Sequence, residues 1–157
     1  METAFRIGLQ DAADDFDGDD RADPLVWRPG TGTWFWARSS SPNFTGQAPG
    51  TPWGAAGDVP LVGDVDGDGV TDIVIFRPQT GQWFWLTSSS GFTAGFTTTW
   101  GGQGDQPLLA DFDRDGKSDI AVFRPSTGFW YWLESSTGRR TQSTLQFGGP
   151  GDIPLVR

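Results

Sequence analysis

The sequence predicts an all-β fold of short four-stranded repeats, on three observations: turn-forming residues abound, no stretch carries a helical apolar period, and one segment of about 47 residues recurs. Twenty-three Gly and eleven Pro among 157 residues imply many tight turns between short strands. Hydrophobic residues make up only 36%, yet nine Trp and twelve Phe supply large rings, and rings fill a core efficiently.

The repeat gives the order of elements. Asp64-Val-Asp-Gly-Asp-Gly-Val-Thr-Asp72 recurs 47 residues later as Asp111-Phe-Asp-Arg-Asp-Gly-Lys-Ser-Asp119, and an earlier copy, Asp15-Phe-Asp-Gly-Asp-Asp-Arg-Ala-Asp23, lies 49 residues before it. Each acidic loop leads into an apolar run: Pro24-Leu-Val-Trp-Arg-Pro29, Ile73-Val-Ile-Phe-Arg-Pro78 and Ile120-Ala-Val-Phe-Arg-Pro125. A Thr-Gly turn follows, then the aromatic triplets Trp34-Phe-Trp36, Trp83-Phe-Trp85 and Trp130-Tyr-Trp132. After a Ser-rich turn come Trp53-Gly-Ala-Ala-Gly-Asp58, Trp100-Gly-Gly-Gln-Gly-Asp105 and Phe147-Gly-Gly-Pro-Gly-Asp152, and each copy closes on Pro60-Leu-Val, Pro107-Leu-Leu or Pro154-Leu-Val. The two extra residues of the first copy fall in a loop with Pro42, Pro49 and Pro52. Within one period the pattern predicts strands near 60–65, 72–77, 82–87 and 96–100.

Four strands per unit, regularly repeated, fit β-propeller blades better than a sandwich. The predicted units are an N-terminal segment at 1–14, blade repeats at 15–63 and 64–110, and a third at 111–157 that ends in the first strand of a following blade. The second strand is apolar at nearly every position, as expected where blades cover both faces. Alternation places Trp83 and Trp85 on one face and Phe84 on the other, so the aromatic triplets read as inter-blade core.

The acidic loops, the Phe-Arg-Pro-x-Thr-Gly segments and the Trp/Phe-Gly-x-x-Gly-Asp turns together resemble the FG-GAP and VCBS repeat families. Those families include integrin α-chain propellers, a fungal propeller lectin and many secreted bacterial proteins. The resemblance runs from Asp15 to the C-terminus. It implies a propeller, calcium in the acidic loops and a binding or adhesion role.

The loops themselves carry cation chemistry. Carboxylates at loop positions 1, 3 and 5 converge on a hard cation only if the chain bends sharply, and Gly69 and Gly116 at position 6 permit that bend. The candidate carboxylate ligands are Asp15, Asp17, Asp19 and Asp23; Asp64, Asp66, Asp68 and Asp72; and Asp111, Asp113, Asp115 and Asp119. Backbone carbonyls of Arg21, Val70 and Lys117 at position 7 would complete an all-oxygen shell suited to calcium, up to three ions per chain. Magnesium, which prefers a smaller octahedral site retaining water, fits less well. These loops are not EF-hands, because Val26, Ile75 and Val122 stand where a bidentate Glu is required. Twelve of the twenty acidic residues lie at these ligand positions, and three divalent ions would bring the net charge from −9 to −3. The competing reading is a solvated acidic turn without metal. The first loop has Asp20 in place of the position-6 Gly, and Asp enters the left-handed region less readily.

Composition excludes several classes. No Cys or His is present, which removes thiol and imidazole catalysis, disulfides and the usual zinc and haem ligands. A net charge of −9 with one Lys argues against nucleic-acid or anionic-membrane surfaces, and no apolar run is long enough to insert in a membrane. Paired carboxylates serve glycosidases, but an enzyme has one asymmetric constellation and this motif occurs three times, so no enzymatic activity is expected. Arg28, Arg77 and Arg124 recur with Asp58, Asp105 and Asp152; structural pairing is favoured over binding of an anionic ligand.

Three blades are too few to close a propeller. The Pro154-Leu-Val segment resembles the first strand of another blade, so a closed homo-oligomer is expected, a dimer giving six blades before a trimer giving nine; further blades in a longer array are the alternative. Residues 3–8 loosely match the end of a fourth strand, which favours that alternative. The functional expectation is an extracellular or cell-surface calcium-binding module that holds a glycan or an extracellular protein, with Phe44, Phe92 and Phe96 as candidate exposed aromatics. The alternative is a structural scaffold or stalk of a secreted bacterial protein, with calcium for stability only.

Overall fold

The computed structural model describes residues 14–156, and these form eleven strands in three antiparallel sheets with no α-helix. The match expected at residues 3–8 lies outside the described residues. The first sheet has the order β1 (Leu25–Arg28), β2 (Thr33–Trp36), β3 (Thr51–Pro52). The second runs β4 (Val59–Gly63), β5 (Asp72–Arg77), β6 (Gln82–Leu86), β7 (Gly95–Thr99). The third repeats it as β8 (Gln106–Ala110), β9 (Asp119–Arg124), β10 (Phe129–Leu133), β11 (Gln142–Gln146). These are propeller-like blades, and the three do not close into a ring.

Sheet and sequence repeat are out of phase by one strand. The strand before each acidic loop (β4, β8) and the three strands after it build one sheet, with Pro60 opposite Ile75 and Pro107 opposite Val122 in matching registers. Pro lacks the N–H that a central strand must donate, and these positions lie on the outermost strand of each sheet, where a missing donor is tolerated. The first sheet has three strands, and its β3 is only two residues long, because Pro49 and Pro52 interrupt the pairing of that longer loop.

Neighbouring sheets pack face to face. Between the first and second lie Phe16, Trp34, Trp36, Ile73, Ile75 and Leu86; between the second and third lie Val65, Phe76, Trp83, Ile120, Val122 and Leu133. Trp34 and Trp83 are at most 1% exposed, and their indole N–H groups donate to the carbonyls of Trp53 and Trp100 at 2.8 and 2.9 Å. Trp34 and Trp83 are thus inter-blade core with their indole N–H groups satisfied, whereas Trp130 and Trp132 of the third triplet are only partly buried, beside Phe123 on the face of the third sheet turned away from the second. At 150–250 Å² per ring, each buried indole contributes roughly 4–6 kcal/mol of burial free energy.

Each interface also carries one residue contributed by the Ser-rich turn. Phe92 (φ 59°) reaches back onto Phe16 and Trp36, with ring centroids 6.3 and 5.0 Å away. Arg139 (φ 61°) takes the same place one blade on, its guanidinium 5.1 Å over Trp85 and donating to the carbonyls of Val65 and Ser118. The expectation that Phe92 is an exposed ligand contact is therefore corrected: its ring is half-buried between blades. Phe44 and Phe96 are exposed, at 42% and 51%.

Candidate metal centres

The second and third acidic loops lie between the first and second strands of their sheets, the first loop leads directly into β1, and all three share one construction. The position-1 carboxylate is wrapped by its own loop: Asp15 accepts N–H bonds from Gly18 and Asp20, Asp64 from Gly67 and Gly69, and Asp111 from Arg114 and Gly116, all between 2.6 and 3.0 Å. That wrapping requires positive φ at position 6, where Gly69 and Gly116 stand at 83° and 87°. Asp20 adopts 63° at the equivalent place, so the first loop closes despite its side chain.

The position-9 carboxylate ties the loop to the sheet. Asp23 accepts from the N–H groups of Phe16 and Ser39, Asp72 from Val65 and Ser88, and Asp119 from Phe112 and Ser135. All three are buried. Consecutive loops are stitched together, the Thr71 N–H donating to the Asp15 carbonyl at 2.7 Å and the Ser118 N–H to the Asp64 carbonyl at 2.6 Å. The loops therefore follow one another along the same end of the blades.

A second set of residues completes each site, and sequence reasoning passed over it. Ser39 and Ser40, Ser88 and Ser89, and Ser135 and Ser136 donate hydroxyl bonds to the position-5 and position-3 carboxylates of their own blade: Asp19 and Asp17, Asp68 and Asp66, Asp115 and Asp113. The signal was present, since a Ser-Ser pair stands 24 and 25 residues after the first Asp of every loop. It reads as a generic turn until the sheet folds it back over the acidic loop.

Carboxylate oxygens converge within 4.8 Å of one another in three groups: Asp15, Asp17 and Asp19; Asp64, Asp66 and Asp72; Asp111, Asp113 and Asp115. Asp23, Asp68 and Asp119 stand outside those groups, held instead by Ser side chains or backbone N–H groups. At position 7, the N–H groups of Arg21, Val70 and Lys117 donate to the position-5 carboxylates. Their carbonyls accept no hydrogen bond among the described residues.

Crowding of like charges away from water has an electrostatic cost. Burial pushes the Asp72 carboxyl up to about 6, with Asp66 adding to the rise. Burial also raises Asp64, aided by Asp68 and Asp66, and raises Asp119. Asp113 moves the other way: burial works against it, but the Ser136 hydroxyl and N–H outweigh that. A divalent cation relieves this repulsion directly. The donor set fits one, being all oxygen, and Asp17 Oδ1 is a buried carboxylate oxygen with no hydrogen-bond donor.

The recurring arginines act structurally in the second and third sheets. Arg77 donates Nε and Nη2 to the two Asp58 oxygens at 2.8 and 2.9 Å, and Arg124 does the same to Asp105 at 2.7 and 2.9 Å.

A sequence model of the FG-GAP-like repeat matches this chain twice, over residues 15–75 and 64–122, which together span more than half of its length. Each match runs from one acidic loop past the next and into the strand that follows it, β5 or β9. Comparison with curated proteins and with solved structures gives no further match.

Proposed function

Because the chain belongs to the FG-GAP-like repeat family, whose propeller-like blades serve as binding or scaffold modules and are generally non-enzymatic, we propose that it is a calcium-stiffened binding module working outside the cell. The observation that carries the reading is the threefold convergence of carboxylate oxygens within 4.8 Å, each group set at the root of a blade. Bound calcium would neutralise the loop, and Asp23, Asp72 and Asp119 would transmit that rigidity to the Ser turns and sheets they already hold. An extracellular setting suits such sites, because calcium there is abundant enough to fill sites of about 10⁻⁴ to 10⁻³ M. Family members are typically extracellular, and no helix among the described residues is long and apolar enough to cross a membrane.

The ligand class we assign is a glycan or an extracellular protein, held at blade rims where Phe44 and Phe96 present exposed rings. A second reading, a scaffold that uses calcium for stability alone, is favoured by the burial of Phe92 and the structural use of Arg77 and Arg124. Isothermal titration of chelator-treated protein with CaCl₂ tests the metal: binding with a rise in Tm is expected, and no heat with an unchanged Tm would end the proposal. A glycan array probed in CaCl₂ and in EDTA separates the two readings. Calcium-dependent sugar binding that Phe96→Ala abolishes supports the module, whereas no binding favours the scaffold.

A further inference from the structure

The most telling features outside the acidic loops are two incomplete halves of one repeated contact. In the second and third sheets, β4 pairs with β5 and β8 with β9, but among the described residues nothing pairs with the corresponding edge of β1. Conversely, Ile153, Pro154, Leu155 and Val156 repeat Val59-Pro-Leu-Val and Gln106-Pro-Leu-Leu in sequence, yet they belong to no strand, with Ile153 and Leu155 exposed by 79% and 84%.

Three further mismatches fall at the same two places. Val59 and Leu61 pack into the interface between the second and third sheets, and the interface between the first and second lacks their counterparts. An apolar cleft of about 180 Å³ stands there, lined by Leu25, Trp27, Trp34, Pro60, Leu61 and Val62. Asp58 and Asp105 each grip an arginine, whereas Asp152, whose carboxylate is set by the Gly149 N–H as Asp105 is by Gly102, has no arginine partner among the described residues. Arg28, the counterpart of Arg77 and Arg124, has no carboxylate partner among them. Finally, Val26 is 62% exposed where its counterparts Ile75 and Val122 are at most 3% exposed against the preceding sheet.

We propose that residues 153–156 of one copy add to the β1 edge of a second copy, completing its first sheet and joining the chains head to tail. Carrying over the β4–β5 and β8–β9 registers sets Ile153 opposite Trp27, Pro154 opposite Val26 and Leu155 opposite Leu25 of the other copy. Ile153 and Leu155 then fill the apolar cleft, Asp152 meets Arg28, and Val26 is covered by the open face of the third sheet, where Phe123, Trp130 and Trp132 lie. Within one chain the segment borders a cleft beside Phe123 and Trp130 of the third sheet, and the second sheet stands between it and its own β1. Two copies joined reciprocally make six blades, within the four to eight that propellers use; one makes three and three make nine.

The test uses the full chain in saturating CaCl₂. Light scattering is expected to give twice the 17.0 kDa chain mass, and Leu155→Asp, a change at an exposed position, is expected to give a monomer with an unaltered circular dichroism spectrum. The chain has no cysteine, so a mixture of Val26→Cys and Pro154→Cys proteins reports the contact without background. Oxidation is expected to yield a disulfide-linked dimer containing one of each. A wild-type monomer at 100 µM, a dimer indifferent to Leu155→Asp, or no mixed disulfide would each overturn the assignment.

Discussion

Replacing Arg77 by Ala tests whether the repeated Arg–Asp pair holds the blade together. The Asp58 side chain is 1% exposed and receives three donors: Arg77 Nε, Arg77 Nη2 and the Ala55 N–H. Removal of the guanidinium leaves a buried carboxylate with one backbone donor. Breaking a fully buried pair this way costs about 3–5 kcal/mol. The Arg77 side chain is 33% exposed, so water enters the vacated space and the expected loss falls to about 2–3 kcal/mol, including the contact of the guanidinium with Phe84 at 5.0 Å. For a chain of this length that lowers Tm by about 4–12 °C. Urea unfolding followed by tryptophan fluorescence measures it, with variants compared at equal protein concentration because assembly would shift the midpoint. Asp58→Asn together with Arg77→Met leaves no buried charge and should recover more than half of the loss. An Arg77→Ala protein within about 0.5 kcal/mol of wild type, the scatter of ordinary surface substitutions, would refute the argument, as would a double variant as unstable as the two single losses added.

Two further outcomes follow from the loops. Asp20→Gly removes a side chain from a left-handed position (φ 63°) and should stabilise the chelated protein by about 1 kcal/mol in thermal melts; destabilisation would show that the Asp20 side chain itself matters. Ser88→Ala with Ser89→Ala removes the hydroxyl donors to Asp68 and Asp66 and should cost about 1–2 kcal/mol in EDTA, whereas an unchanged melt would reduce these bonds to incidental surface contacts.

The sequence made the blade legible because its constraints are local and repeated. Alternation in Trp83-Phe-Trp85 and the apolar run at Ile73 need no long-range knowledge, and the observed β5 and β6 fall where those patterns put them. The acidic loop was equally readable, since its bend depends on one φ at position 6. The Ser pairs and Phe92 were not, because their roles arise only when a 3₁₀ turn folds a residue 20 or more positions away over the loop or against the preceding sheet. Distance in the chain hides such contacts even when the period repeats them.

The one-strand phase shift between repeat and sheet carries the most physical weight. If repeat and sheet coincided, blades would touch only through side-chain faces, and each acidic loop would stiffen a self-contained unit. Here the first and second repeats each donate their last strand to the next sheet, as β4 follows β3 in sequence yet pairs with β5, and β8 follows β7 yet pairs with β9. Backbone hydrogen bonds therefore cross from repeat to repeat, and the stitches from Thr71 to Asp15 and from Ser118 to Asp64 run the same way. A cation bound in one loop, as proposed, would consequently stiffen two repeats at once. Coupling of this kind is directional: among the described residues it leaves one edge of β1 unpaired and residues 153–156 outside any strand, and the proposed head-to-tail contact would satisfy both.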